Sequence, residues 1–560
     1  MVRRLISFLG KEISGLHEAA YLLGFFAILS QVLALIRDRL LAHSFGAGTT
    51  LDLYYAAFRI PDFLFAAVAS LFSASVLIPF LSEKIRAGSE PGREFLSVMF
   101  SIFLFSIVTV SAVAFFAIPW LVPYLFPGFA GEPFKSEIIL MTRILLLSPI
   151  FLGLSNLFAS ITQLYNRFFI YGISPILYNL GIIVGIIFLS PWFGPVGLVW
   201  GVILGALLHF LVQAPFVAKQ GLFPRFVISL KKYRDSALVI LLGIPRTFAL
   251  SAQEVSKFFL VSLASLLSAG SISVFSFSHN LQSVPLSIIG ASYSLAAFPA
   301  LSALFAAGER ARFVDLLRTT ARYVIFFSLP LIALFIVLRA HFVRVVLGSG
   351  AFSWQDTRLT AAALAMFVLS LAAQGLILVF TRARYASQNT KTPFYINIVS
   401  SVAIIIFAAL FSRLAVVFPE FQSFIGSLFR VEDVAGVEVL MLPLAFSIGS
   451  VLGAIVHIYT FDRDYGGIGR ELARITVKLF MVAVAMGIVS YLTLNLIDDF
   501  ISLNTFVGVL SQGLIAGFVG VVCGIILLTL LGSRELKEVI SALHRKFWKT
   551  PVIGPDPNAL

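Results

Sequence analysis

Long apolar runs succeed one another along this chain, each ending at a charge or at Gly and Pro. They read as helices near 18–42, 52–82, 95–124, 138–164, 168–190 and 194–217, then 238–267, 271–305, 319–340, 359–385, 393–412 and 436–461, and finally 472–495 and 503–531. Roughly 20 apolar residues span about 30 Å of hydrocarbon as a helix, and in lipid a backbone must satisfy its own hydrogen bonds. The expected fold is therefore all-α, a polytopic membrane protein of about 14 transmembrane helices. Continuous rather than alternating runs exclude a transmembrane β-barrel. Composition agrees: 12% of residues are charged, where a soluble domain carries about 25%.

Charge then orients the runs. A formal charge of +13 would suggest a nucleic-acid partner in a soluble protein, but here the bases gather in alternate loops, and no such partner is expected. With both ends cytoplasmic, 28 of the 40 Lys and Arg fall on the cytoplasmic side, from Arg3, Arg4 and Lys11 to Arg545, Lys546 and Lys549. The opposite loops are poor in bases and often acidic, as at Glu132, Glu137, Asp498 and Asp499. This is the positive-inside asymmetry, and it requires an even helix count with both termini inside the cytoplasmic (inner) membrane. The first run lacks a small-residue cleavage site and reads as a retained helix. A single Cys523 in an apolar run leaves no disulfide framework and no thiol metal site.

An internal repeat divides the chain. Pro79-Phe80-Leu81-Ser82 followed by Ala87-Gly88 recurs as Pro299-Ala300-Leu301-Ser302 followed by Ala307-Gly308, an offset of 220. Pro175-Ile176-Leu177-Tyr178-Asn179 recurs as Pro393-Phe394-Tyr395-Ile396-Asn397, and Thr142-Arg143 as Thr357-Arg358, at offsets of 218 and 215. An offset of six helices preserves helix direction, so the halves are expected to be parallel lobes about an axis along the membrane normal. The expected organisation is a six-helix lobe over 1–217, a second over 218–461, and two extra helices with a basic cytoplasmic tail over 462–560. Transporters built this way hold their substrate between the lobes.

Charges at membrane depth are costly and default to functional hypotheses. The first helix carries Gln31, Arg37, Asp38 and Arg39, and the second carries Asp52, Arg59 and Asp62 at one-face spacing. Their counterparts in the second lobe are Arg246, Glu254 and Lys257 on the seventh helix and His279, Asn280, Gln282 and Ser283 on the eighth. Polar residues thus concentrate on equivalent helices of the two halves, as the lining of a central cavity would. Arg39 and Asp52 lie close to helix ends, where snorkelling or simple ion pairing is the better reading. Arg37, Arg59 and Lys257 lie deeper, each beside an acid, and suit a cavity. His279 suits a cavity or a packed interior equally. Pro61 and Pro285 interrupt both second helices. Gly197, Gly201 and Gly205, and Gly513 and Gly517, are spaced for close helix packing. The chain contains no phosphate-loop, zinc-protease or nucleophile-elbow motif, so neither an enzyme nor a cofactor-dependent protein is expected, and secondary transport or a scaffold remains.

Beyond these patterns, Phe45-Gly46-Ala47-Gly48, then Asp52, then Ala57-Phe58-Arg59-Ile60-Pro61-Asp62 resemble the start of the MurJ/MviN family, lipid II flippases of the MOP exporter superfamily. Pro127-Gly128-Phe129, Tyr165-Asn166-Arg167-Phe168, and Gly350-Ala351-Phe352 with Asp356-Thr357 extend the match, and its best part runs from Arg382-Ala383-Arg384-Tyr385 to Thr392-Pro393. The resemblance implies two six-helix lobes, a cationic central cavity, and a polyprenyl-tail groove on the last two helices. It also implies export of an undecaprenyl-diphosphate-linked peptidoglycan precursor by alternating access, in company with the bilayer and cell-wall synthesis proteins. Arginine suits a diphosphate because its planar fork binds phosphate oxygens bidentately.

The departures fall in the cavity. Gln31 and Phe65 stand where the family carries arginines, and His279-Asn280 where it carries an Asp-Arg pair, while Arg37 is kept. Arg59, Arg246 and Lys257 are the cations available to substitute. The alternatives to lipid II export are a flippase for another polyprenyl-linked saccharide and a non-transporting scaffold in cell-wall assembly.

Overall fold

The computed structural model of the chain describes residues 16–72, 74–227, 254–503 and 505–548, with the single positions 241, 247 and 251. Among the described residues every regular element is a helix. Ten helices, from Ser89–Leu125 to Phe506–Leu530, are long and apolar enough to cross a membrane. The pair Trp354–Val368 and Leu371–Ala386 makes an eleventh if counted as one span.

Three of the expected runs are not in that set. Leu16–Phe45 is a 30-residue helix that carries Arg37, Asp38 and Arg39 toward its end. The run near 52–82 is broken into Thr49–Ala57, Arg59–Val68, a 3-10 turn Ala69–Phe72 and Ala74–Arg86. The run near 238–267 is described continuously only from residue 254 onward. Ten or eleven spans, rather than fourteen, therefore stand among the described residues. Three helices lie where loops or a tail were expected: Arg339–Leu347, Pro419–Phe429 and Arg534–Trp548.

The chain forms two compact units. The larger comprises Met1–Val284, Val346–Ser370 and Gln388–His457. In it Phe168–Val184 packs against both Leu16–Phe45 and Pro195–Leu211. Glycines set the second contact: a Cβ at Gly201 would lie 2.4 Å from Gly185 Cα, and one at Gly205 2.4 Å from the Tyr178 carbonyl oxygen. Without competing hydrophobic drive between helices in lipid, this backbone approach supplies the packing energy. A core of Phe72, Phe103, Leu157, Phe158 and Ile161 lies beside it, with Phe65 packed on its edge.

The smaller unit comprises Pro285–Val345, Leu371–Ser387 and Ile458–Leu560. Arg310–Val337 packs along Gly469–Ile497, which packs along Phe506–Leu530. Gly517 meets Leu338 and Gly513 meets His341, so the small-residue stripe of the last span is a packing face. Arg384, 2% exposed, donates to Asp464 at 2.5 Å and lies over the rings of Phe461 and Tyr465. The C-terminal helix is held by Arg322 Nη2 to Glu535 Oε1 at 2.7 Å and by the Tyr323 hydroxyl on Glu538.

Local structure repeats along with the sequence. Thr142 and Thr357 are both buried, and each hydroxyl donates to the carbonyl four residues back. Asn179 and Asn397, the repeated asparagines, are 6% and 8% exposed.

Candidate substrate-binding site

The ionisable residues singled out from the sequence fall into two groups, both within the larger unit. The first is a junction of loops. The turn after Leu16–Phe45 needs a left-handed residue, supplied by Gly46 at φ 63°. Ala351 N donates to the His43 carbonyl at 2.8 Å, and Arg39 Nη1 to the Val346 carbonyl at 3.2 Å. A Cβ at Gly270 would lie 2.2 Å from the Ala47 carbonyl oxygen, so the chains cross almost in contact. Asp52, 3% exposed, fixes this crossing. Its Oδ2 accepts from Gly270 N at 2.6 Å, and its Oδ1 from both the N and the hydroxyl of Ser273 at 2.7 Å. It thus caps the helix Ser271–Leu286 from 218 residues away and complements its positive end. The Phe-Gly-Ala-Gly and Gly-Ala-Phe motifs meet here, which explains their spacing. Asp356 completes the second motif as part of a capping box with Ser353.

The second group is formed around Arg37 and Arg59. Arg37 donates through Nε and Nη2 to Asp38 Oδ1 at 2.9 and 2.8 Å, and through Nη1 to Asn179 Oδ1 at 3.1 Å. The other oxygen of Asp38 accepts from Asn280 Nδ2 at 3.0 Å. Arg59 donates to the Tyr55 carbonyl at 3.2 Å and stands 3.7 Å from Asp62. Lys257 pairs with Glu254 at 3.0 Å. Asp62 is within electrostatic reach of Glu254 and Lys257 as well as Arg59, which joins the second and seventh helices electrically. Arg246 lies outside the described residues. The cluster so described balances three bases, Arg37, Arg59 and Lys257, against three acids, Asp38, Asp62 and Glu254.

His279 sits in an aromatic cage. Its ring is stacked on Phe275 at 6.3 Å and edge-on to Phe367 and Phe446 at 5.4 and 5.9 Å. Two of the three departures from the family pattern also find a local role: Phe65 packs on the core, and Asn280 holds Asp38.

Some residues of the site escaped the sequence reading. Asn179 served only as a repeat marker, yet it touches Arg37. Tyr55, 8% exposed, packs edge-on to Tyr54 and Phe277 at 5.3 and 5.8 Å within reach of the Arg37 and Arg59 charges. Its buried position beside charge was not visible in an apolar run.

A multi-pass helical bundle that keeps a balanced set of charges inside one of its units has the architecture of a membrane transporter. Solved structures share this fold. One titled "Lipid II flippase MurJ, inward closed conformation" superposes with a TM-score of 0.73 at 24% identity, covering 91% of this chain and 99% of that one. A MATE-family transporter of the MOP superfamily, in an inward-facing conformation, gives 0.60 at 15% identity, covering 80% and 95%. The profile of the family described as "Lipid II flippase MurJ" matches residues 41–510, and the chain belongs to that family. Its relatives include the lipid II flippase MurJ of Burkholderia cenocepacia, 27% identical over 67% of this chain and 74% of that protein. The probable lipid II flippase MurJ of Haemophilus influenzae is 26% identical over 91% and 98%.

Proposed function

We propose that this protein moves an undecaprenyl-diphosphate-linked peptidoglycan precursor, lipid II, from the inner to the outer leaflet of the cytoplasmic membrane by alternating access. The observation that carries the reading is the family match over residues 41–510. The paired charges around Arg37 support it, because a diphosphate needs fixed N–H donors at membrane depth. In this reading the N- and C-terminal lobes, 1–217 and 218–461, rock about the site, and both termini are cytoplasmic. The Asp52 junction then belongs to the outer end of the pathway, and it closes while the substrate enters from the cytoplasm. Cell-wall synthesis proteins are the natural partners on either side.

Chemistry assigns the roles. Arg37, with Arg59 and Lys257 as further cations, takes the diphosphate. Asp38, Asp62 and Glu254 are the resident counter-charges that keep an empty site neutral, and Arg246 would add to the cations. His279 in its cage and Asn280 form the wall. The test is complementation of a flippase-depleted strain: the wild-type protein restores growth, and Arg37→Ala inserts normally but does not. Growth with Arg37→Ala would remove Arg37 from the site. The loss of family arginines at Gln31, Phe65 and Asn280 favours one second reading, a flippase for another polyprenyl-linked saccharide, which failure of the wild type to complement would support.

A further inference from the structure

We propose that Tyr55 and Asn179 complete a diphosphate cradle around Arg37, with Tyr55 a direct donor and Asn179 a positioning residue. The inference rests on the reading of the substrate as a diphosphate-linked lipid.

A guanidinium has five N–H donors and no acceptor. Arg37 uses Nε–H and one Nη2–H on a single oxygen of Asp38, and one Nη1–H on Asn179. Among the described residues this leaves one N–H on each of Nη1 and Nη2. The Arg37 side chain keeps 20% exposure although the guanidinium is held from two sides. Asp38 cannot swing to cover the two remaining donors, because its second oxygen is engaged by Asn280.

Asn179 fixes the plane of the guanidinium without cancelling its charge. Its own orientation is set: Nδ2 donates to the Pro175 carbonyl at 3.1 Å and to Ser30 Oγ at 3.4 Å, which turns Oδ1 toward Arg37. A carboxylate at the same place would bind Arg37 more strongly and compete with phosphate. The amide is therefore the residue type that presents the cation.

The Tyr55 hydroxyl supplies the third donor. It is buried and has no hydrogen-bond partner among the described residues, which is unfavourable unless a partner arrives with the ligand. Tyr55 lies one helical turn before Arg59, whose Nε donates to the Tyr55 carbonyl at 3.2 Å, and it is within electrostatic reach of Arg37 and Asp38. Two N–H groups of Arg37 and the Tyr55 O–H are thus the donors left over for phosphate oxygens.

The test uses the full-length protein in lipid nanodiscs and titrates farnesyl diphosphate and farnesyl monophosphate, with melting temperature recorded for every variant. Tyr55→Phe should bind the diphosphate about tenfold more weakly, the loss of one hydrogen bond to a charged acceptor, with a smaller change for the monophosphate. Asn179→Asp should lose about tenfold or more, whereas Asn179→Leu, of similar size, should lose only about threefold. A packing role would instead make both Asn179 variants follow their melting temperatures. Wild-type binding that Arg37→Ala abolishes but Tyr55→Phe and Asn179→Asp leave intact would overturn the cradle and leave the diphosphate reading standing. No diphosphate binding by folded wild-type protein would overturn both.

Discussion

Removing the Asp52 carboxylate should loosen the junction between the loop after Leu16–Phe45 and the helix Ser271–Leu286. Three donors converge on it at 2.6, 2.7 and 2.7 Å, and two of them are backbone N–H groups at a helix start. An ordinary cap replaced by alanine costs about 0.5–2 kcal/mol. Bonds to a charged acceptor contribute about 1.5–3 kcal/mol each, but donors freed by an opening junction regain water. A loss of about 3 kcal/mol follows, or about two orders of magnitude in the equilibrium between joined and parted states. Nitroxide labels at Ser44→Cys and Ala269→Cys, both exposed positions, in a Cys523→Ser background report the separation by electron–electron double resonance. Asp52→Ala should convert a single short distance into a distribution dominated by longer ones, with Asp52→Asn between, since one acceptor oxygen remains. An unchanged distribution in folded Asp52→Ala protein would refute the reasoning.

Gly201→Leu should cost several kcal/mol or prevent folding, because its Cβ would already lie 2.4 Å from Gly185 Cα and overpacking alone costs about 1–3 kcal/mol; thermal unfolding in detergent checks this against Gly131→Ala, where a Cβ meets nothing within 4 Å. Arg384→Ala should lower stability by about 3 kcal/mol, since it removes a buried cation packed on Phe461 and Tyr465 and leaves Asp464 with only the more distant Arg463 at 3.3 Å; the same melting assay reads it. The hydrogen bond from Tyr323, then that from Arg534, holds the Glu538 carboxyl below its usual range. A carboxylate so depressed contributes stability above the unfolded value, about 4.3, and loses it as pH falls through the folded one. The protection of amides in 534–541, after correction for the intrinsic pH dependence of exchange, should therefore fall below about pH 4, and Glu538→Gln should remove the step; protection that does not change with pH would count against the contact.

The spans were legible because hydrocarbon leaves a chain few options: an apolar run must be helical and about as long as the bilayer is thick. Predicted and observed helices from Ser89–Leu125 to Phe506–Leu530 overlap over most of their length, although Arg310–Val337 begins well before the expected residue 319. The break at Phe58 and the 3-10 turn Ala69–Phe72 were not legible in this sense, since Pro61 marks a weak point without saying where the turn falls. The short helices Arg339–Leu347 and Pro419–Phe429 were read as loops, their amphipathic faces being too brief to stand out.

Within the candidate site, the charged stripes of the sequence pointed to Arg37, Asp38, Arg59, Asp62, Glu254 and Lys257, and the structure pairs them with one another. What each one touches depends on partners far away in the chain. Asp52 looked like a member of the stripe formed with Arg59 and Asp62, but its oxygens are committed to Gly270 and Ser273. The cage around His279 draws on Phe367 and Phe446, two of 57 phenylalanines with nothing local to distinguish them. Asn179 stood out in the repeat, yet a repeat marks equivalence, and only the approach of Leu16–Phe45 to Phe168–Val184 gives it Arg37 as a partner.

The central claim is that this chain carries a diphosphate-linked lipid across the membrane through the site at Arg37. Its most direct test is transfer of labelled lipid II across sealed proteoliposomes under an imposed membrane potential, run in parallel with another polyprenyl-diphosphate saccharide. The account predicts transfer of lipid II by the wild-type protein and none by a correctly folded Arg37→Ala variant. Equal transfer by both proteins, or none by folded wild type for either lipid, would contradict it.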